Sequence, residues 1–91
     1  MPSPALDADR PYRMHPDVAI RPEPFGALAY HYGNRRLTFL RSPDLVDLVR
    51  DLEHHGSLVD ALAATGLSPT RQAAFRKALA SLLTSEVICA R

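Results

Sequence analysis

Ninety-one residues with 11 basic and 10 acidic side chains, a formal charge of +1 and a single cysteine bound the possibilities before any motif is read. A chain of this length makes one small domain that buries roughly 60–65% of its unfolded surface, with stability of order 5–10 kcal/mol and no room for a deep cavity. Near-neutrality gives no overall field for nucleic acid; one cysteine excludes an intramolecular disulfide or a cysteine metal cluster and fits a reducing cytoplasm; no run approaches the ~20 apolar residues of a membrane span, and no basic start leads into an apolar run.

Residues 1–10 hold two prolines among small and acidic residues with no period, which predicts a disordered tail and places the folded domain at 11–91. Tyr12-Arg-Met-His-Pro16 leads into a first predicted strand, Asp17–Arg21, in which Val18 and Ile20 alternate with Asp17, Ala19 and Arg21. Pro22 and Pro24 make a stiff connection, and Phe25-Gly26 opens a second strand. Gly33-Asn34 then separates two runs rich in aromatic and aliphatic residues, the pattern of a two-residue hairpin loop with glycine at positive φ. Counting outward from that loop pairs Tyr32 with Arg35, Tyr30 with Leu37 and Leu28 with Phe39. Leu28, Tyr30, Leu37 and Phe39 therefore share one face, expected to be covered by the C-terminal half, and Ala29, His31, Arg36 and Thr38 share the other. Nothing in the sequence pairs with the outer edge of the last strand, Arg36–Arg41, and an open edge is either a hazard or a docking site.

Three helix starts follow. Ser42-Pro43-Asp44 combines an N-cap serine, a proline at the first helical position and an acid over the positive helix end; Leu45, Val46, Leu48, Val49 and Leu52 continue at helical spacing until Gly56. Ser57-Leu-Val-Asp60 is a shortened capping box, and its helix stops at Gly66. Ser68-Pro69 opens the longest helix, about Pro69 to Thr84, with Phe75, Ala78, Leu79, Leu82 and Leu83 as its apolar stripe. Val87-Ile88-Cys89 either adds a short strand or packs as coil. The expected fold is α+β, an N-terminal three-stranded antiparallel sheet followed by a three-helix bundle, similar to a winged helix-turn-helix with the sheet placed first.

No residue pattern supports catalysis, a metal or a cofactor. His54-His55 project about 100° apart at a helix end and lack further ligands at suitable spacing, while His15, before Pro16, suits a turn cap and His31 lies on the more polar hairpin face, exposed or hydrogen-bonded to a neighbour. Cys89 lies among Val87, Ile88 and Ala90, the setting of a buried inert thiol. Two surface features remain. One is the long helix with Arg71, Gln72, Arg76 and Lys77, which suits either DNA reading or an ordinary solvated face. The other is the strand edge Arg36, Leu37, Thr38, Phe39, Leu40 and Arg41. Beside the long helix this edge would form a groove for an extended peptide, with side chains dropping toward Phe75 and Leu79 and the arginines meeting acids.

The run Met14–Leu28, with Tyr30-His31-Tyr32, Arg35-Arg36-Leu37, Phe39-Leu40 and Ser42-Pro43, resembles the small peptide chaperones of mycofactocin biosynthesis, a family of the PqqD-like recognition elements. The resemblance runs from about Pro11 to the C-terminus and is most specific between His15 and Leu28. It implies a non-enzymatic protein without cofactor that binds the leader of a ribosomally made precursor peptide and presents it to a radical S-adenosylmethionine maturase. It also implies that the leader adds beside the third strand of the three-stranded sheet and packs on the third helix. The site residues carried over are Arg36, Leu37, Thr38, Phe39, Leu40, Arg41, Arg71, Gln72, Phe75, Arg76 and Leu79. The expected state is a cytoplasmic monomer or weak dimer without nucleic-acid or membrane partners. The rival readings are a winged helix-turn-helix DNA-binding regulator and a structural domain that pairs its edge strand with a second copy.

Overall fold

The computed structural model describes residues 6–91, so residues 1–5 of the expected tail lie outside the described residues. In chain order the elements are β1 (Tyr12–Met14), β2 (Val18–Glu23), β3 (Gly26–His31), β4 (Leu37–Leu40), α1 (Pro43–Asp51), a 3-10 turn (Leu52–His54), α2 (Leu58–Ala64), α3 (Pro69–Thr84) and β5 (Ile88–Ala90). The architecture is the expected α+β arrangement: an antiparallel sheet in the order β2-β3-β4, with three helices after it. A second, two-stranded sheet joins β1 to β5 with Tyr12 opposite Ala90 and Met14 opposite Ile88. Of the two forms open to the terminal segment, strand and coil, it takes the strand, and its partner β1 is only three residues long, too short for an alternating pattern to predict it. None of the described helices is long and apolar enough to cross a membrane.

Each helix begins as its capping residues require. The hydroxyls of Ser42, Ser57 and Ser68 accept from the backbone N–H groups of Leu45, Asp60 and Arg71. Helix α1 tightens into the 3-10 turn after Asp51 rather than running regularly to Gly56. Residues 6–10 are tied to the body: the carbonyls of Arg10 and Ala8 accept from Leu58 and Val59, two of the N-terminal donors of α2 that the helix itself cannot satisfy. The buried Tyr12 adds to this with its hydroxyl, which accepts from the Asp7 N–H at 2.8 Å.

The hairpin register is as counted, with Leu28 opposite Phe39 and Tyr30 opposite Leu37. The loop differs in form. The His31 N–H donates to the Arg36 carbonyl at 3.0 Å and the Arg35 N–H to His31 at 2.7 Å, which closes a four-residue loop with Arg35, not Gly33, at positive φ (61°). The side-chain ring of His31 explains this shape, because its Nδ1 accepts from the N–H groups of both Gly33 and Asn34 and holds those two residues in a right-handed turn.

The covered face of the sheet is the opposite of the expected one. Ala27, Ala29, His31 and Leu40 are buried, together with Val18 of β2, whereas Leu37 and Phe39 are each 53% exposed. The reason is steric: α1 packs across β3, and small alanines let its Leu45, Val46, Leu48 and Val49 approach. The larger residues Leu28, Tyr30, Leu37 and Phe39 are left on the outer face.

Candidate functional site

In the described residues β4 has one partner, β3, and its other edge is unpaired. Which backbone groups point outward follows from the alternation of an antiparallel ladder. Because His31 donates to Arg36, the hydrogen-bonded pairs of β3 with β4 are His31 with Arg36, Ala29 with Thr38 and Ala27 with Leu40. Thr38 and Leu40 thus direct their N–H and C=O groups inward. Leu37 and Phe39 direct theirs outward, toward the open edge. A guest strand would therefore meet two donors and two acceptors, about 7 Å apart along β4.

Helix α3 runs beside this edge, held at both ends. At its start the Arg71 guanidinium donates to Asp44 Oδ2 at 3.1 Å, and Asp44 sits four residues beyond the end of β4. At its finish the Asn34 amide donates to the Ser85 carbonyl at 3.3 Å and to Glu86 Oε2 at 3.0 Å, and Asn34 lies just before β4. The helix is consequently antiparallel to β4 and spans its length. Helical geometry places Arg71, Phe75, Ala78 and Ser85 on one stripe, the one between the two tethers. The Arg71 guanidinium lies over the Phe75 ring, 5.5 Å from its centre, and Arg41 lies 5.7 Å over Phe39.

The expected site residues separate into groups. The outward backbone of Leu37 and Phe39, the exposed Arg36 and Arg41, and the Arg71 and Phe75 side chains border the edge and the tethered helix. Thr38 is half-buried and faces inward, and Leu40 and Leu79 are fully buried core residues. The Gln72 amide is bonded to the Leu67 carbonyl at 2.8 Å, where it fastens the turn between α2 and α3. Arg76 lines a different cleft, with residues 6–10, Tyr12, Leu83 and Ala90. Of Arg71, Gln72, Arg76 and Lys77, which suggested a DNA-reading helix, the first three are thereby divided among an ion pair, a loop bond and a separate cleft, and Lys77 is exposed.

Asn34 and Glu86 are functional candidates that the sequence reading did not single out. Glu86 is at positive φ (65°), just past α3, and the Asn34 amide bond holds its carboxyl below the ordinary 4.5, aided by the nearby Arg36 guanidinium. A carboxyl whose folded-state value is lowered contributes stability above its unfolded value and loses it as pH falls through the folded one. The stability difference between the parent and Asn34→Ala is therefore expected to be constant above pH 4.5 and to shrink below it. Denaturant titrations of both proteins across pH 3–7 measure this, and a difference that grows on acidification contradicts the assignment. Cys89 is half-buried, and burial pushes its thiol up despite the nearby Arg13.

Against this geometry, the chain matches the profile of the peptide chaperone MftB family over residues 11–89. It is similar to proteins named peptide chaperone MftB from three organisms. With that of Mycolicibacterium smegmatis it shares 43% identity over 83 residues, 91% of this chain and 81% of the relative. With that of Mycobacterium ulcerans it shares 42% over 84 residues, 92% and 77% of the two chains, and with that of Mycobacterium tuberculosis 38% over 86 residues, 94% and 79%. No solved structure matches the chain significantly.

Proposed function

The chain belongs to the peptide chaperone MftB family, and from that premise we propose that it binds the leader of a ribosomally made precursor peptide and delivers it to a radical S-adenosylmethionine maturase in mycofactocin biosynthesis. It acts in the cytoplasm as a monomer or weak dimer and makes no bond itself. The leader enters as an added strand along β4, taking its main-chain hydrogen bonds from Leu37 and Phe39. Phe75 supplies apolar contact from the helix side, and Arg36, Arg41 and Arg71 orient acidic side chains of the leader through charge-assisted hydrogen bonds. The 71–44 and 34–86 tethers set the width of the groove before the peptide arrives, which lowers the ordering cost of binding.

The observation that supports this reading is the unpaired outer edge of β4 alongside a helix pinned at both of its ends. Titrating a labelled leader peptide into the parent and into a Leu37→Pro variant tests it. Saturable binding to the parent and its loss in the variant are expected; equal affinities contradict it.

A further inference from the structure

One buried polar side chain is accounted for by neither the core nor the peptide edge. His31 is 4% exposed, and its Nε2 is buried without a hydrogen-bond partner among the described residues. Its other ring nitrogen is fully committed, since Nδ1 accepts from the Gly33 N–H at 3.0 Å and from the Asn34 N–H at 3.1 Å. A nitrogen that accepts carries no proton, so the ring is the neutral tautomer with its hydrogen on Nε2. An unpaired N–H in a core destabilises, and a leucine here would remove it. What the imidazole supplies in exchange is the Nδ1 acceptor.

That acceptor orders the residue that joins the two walls of the groove. The Asn34 Oδ1 accepts from the Arg36 N–H at 2.9 Å, where the chain enters β4, while its Nδ2 donates to the Ser85 carbonyl and the Glu86 carboxylate, where the chain leaves α3. A single side chain thus spans from the start of the edge strand to the end of the helix beside it. Its aim is set from behind. The His31 ring packs 4.3 Å from the His15 ring between centres, the His15 Nδ1 accepts from the Asp17 N–H, and the Asp17 carbonyl accepts from the Tyr32 N–H at 2.9 Å. Gly33 passes directly over this base: a Cβ there would lie 2.8 Å from His31 Cε1 and 3.1 Å from Asp17 Oδ2. The loop is therefore seated on the His31 ring and on the turn at His15–Asp17, and the direction of Asn34 follows from that seat.

We propose that His31 is a positioning residue for the leader: through the Gly33 and Asn34 N–H groups its Nδ1 fixes the Asn34 side chain, and with it the separation of β4 from α3 at the end where they are joined, without touching the peptide. This role rests on the reading of the β4 edge as the leader site. It sets binding against stability, because the acceptor that serves the groove brings the unpaired Nε2–H with it.

The test compares His31→Leu and His31→Asn with the parent, in the full-length protein and with the labelled leader as the probe. Asparagine puts its Oδ1 at the place of Nδ1 and keeps the acceptor but leaves a cavity, whereas leucine fills the site and accepts nothing. His31→Leu is expected to be the more stable of the two in denaturant and yet to bind the leader roughly tenfold more weakly than the parent, while His31→Asn stays within about threefold. Amide exchange of the free proteins reads the loop independently: the Gly33 and Asn34 N–H groups are expected to be protected in the parent and in His31→Asn and to exchange fast in His31→Leu. Affinities that follow the order of stability, or a His31→Leu variant that binds like the parent, overturn the proposal. Failure of the leader to bind the parent defeats the β4 reading instead, and the exchange pattern then decides the hold of His31 on the loop: selective loss of protection in His31→Leu upholds it, and equal protection in both variants removes it.

Discussion

A Leu37→Pro variant is expected to fold like the parent and to bind leader peptide at least about tenfold more weakly, a loss of ~1.4 kcal/mol or more. Leu37 stands opposite Tyr30 in a pair that exchanges no hydrogen bonds, so its N–H contributes nothing to the β3–β4 ladder. Its side chain is 53% exposed, so little burial is lost, and proline is accommodated on an edge strand whose N–H faces solvent. Only the guest is affected. One of its two main-chain acceptors loses its donor, worth about 0.5–1.5 kcal/mol, and the pyrrolidine ring stands where the added strand must approach. Thr38→Pro is the contrasting variant, because the Thr38 N–H faces Ala29 and its removal breaks the sheet itself. Leader titration and thermal unfolding of the two variants separate these outcomes: Leu37→Pro is a binding defect in a stable protein, Thr38→Pro a stability defect.

Replacing Gly26 with alanine is expected to cost roughly 2–4 kcal/mol of stability, the joint effect of backbone strain and overpacking that each contribute about 1–3 kcal/mol. Gly26 has φ +149°, and an added Cβ would lie 2.1 Å from the Leu40 carbonyl oxygen and 2.9 Å from the Ser42 nitrogen. Both neighbours are main chain and neither can swing aside. Leu40 is the buried anchor of β4 and Ser42 caps α1, so relief of the clash displaces the end of the edge strand and the start of the helix after it. In a domain of about 5–10 kcal/mol this lowers Tm by roughly 10–25 °C. Denaturant unfolding measures it, and a variant within 0.5 kcal/mol (about the range of a neutral surface change) contradicts the close approach.

The elements with chemically distinct boundaries were legible in the sequence. Ser42-Pro43, Ser57 and Ser68-Pro69 mark the three helix starts because hydroxyl caps and N1 prolines act locally. The strand register was also legible, since a two-residue and a four-residue loop centred on Gly33-Asn34 give the same pairing. The loop conformation was not: it depends on the His31 ring accepting two backbone N–H groups, and no spacing rule announces that. The face assignment failed because size was read as burial. The corrective signal lay in β2, where Val18 pairs with His31 and Ile20 with Ala29, which puts the apolar side of β2 on the alanine side of β3. At the candidate site the open edge was readable, but the separation of Gln72, Arg76 and Leu79 from it was not. Those positions depend on how α3 is rotated, and the rotation is fixed by long-range contacts from Asp44 and Asn34.

The central claim is that the Leu37 and Phe39 main chain receives a guest strand. Amide hydrogen exchange, resolved by residue with and without a leader peptide, tests it most directly. The account predicts that the Leu37 and Phe39 amides, open to solvent in the free protein, become strongly protected on peptide binding while the Thr38 and Leu40 amides, already in the ladder, change little. A bound peptide that leaves Leu37 and Phe39 exchanging freely, and protects the β2 edge or the outer sheet face instead, contradicts it.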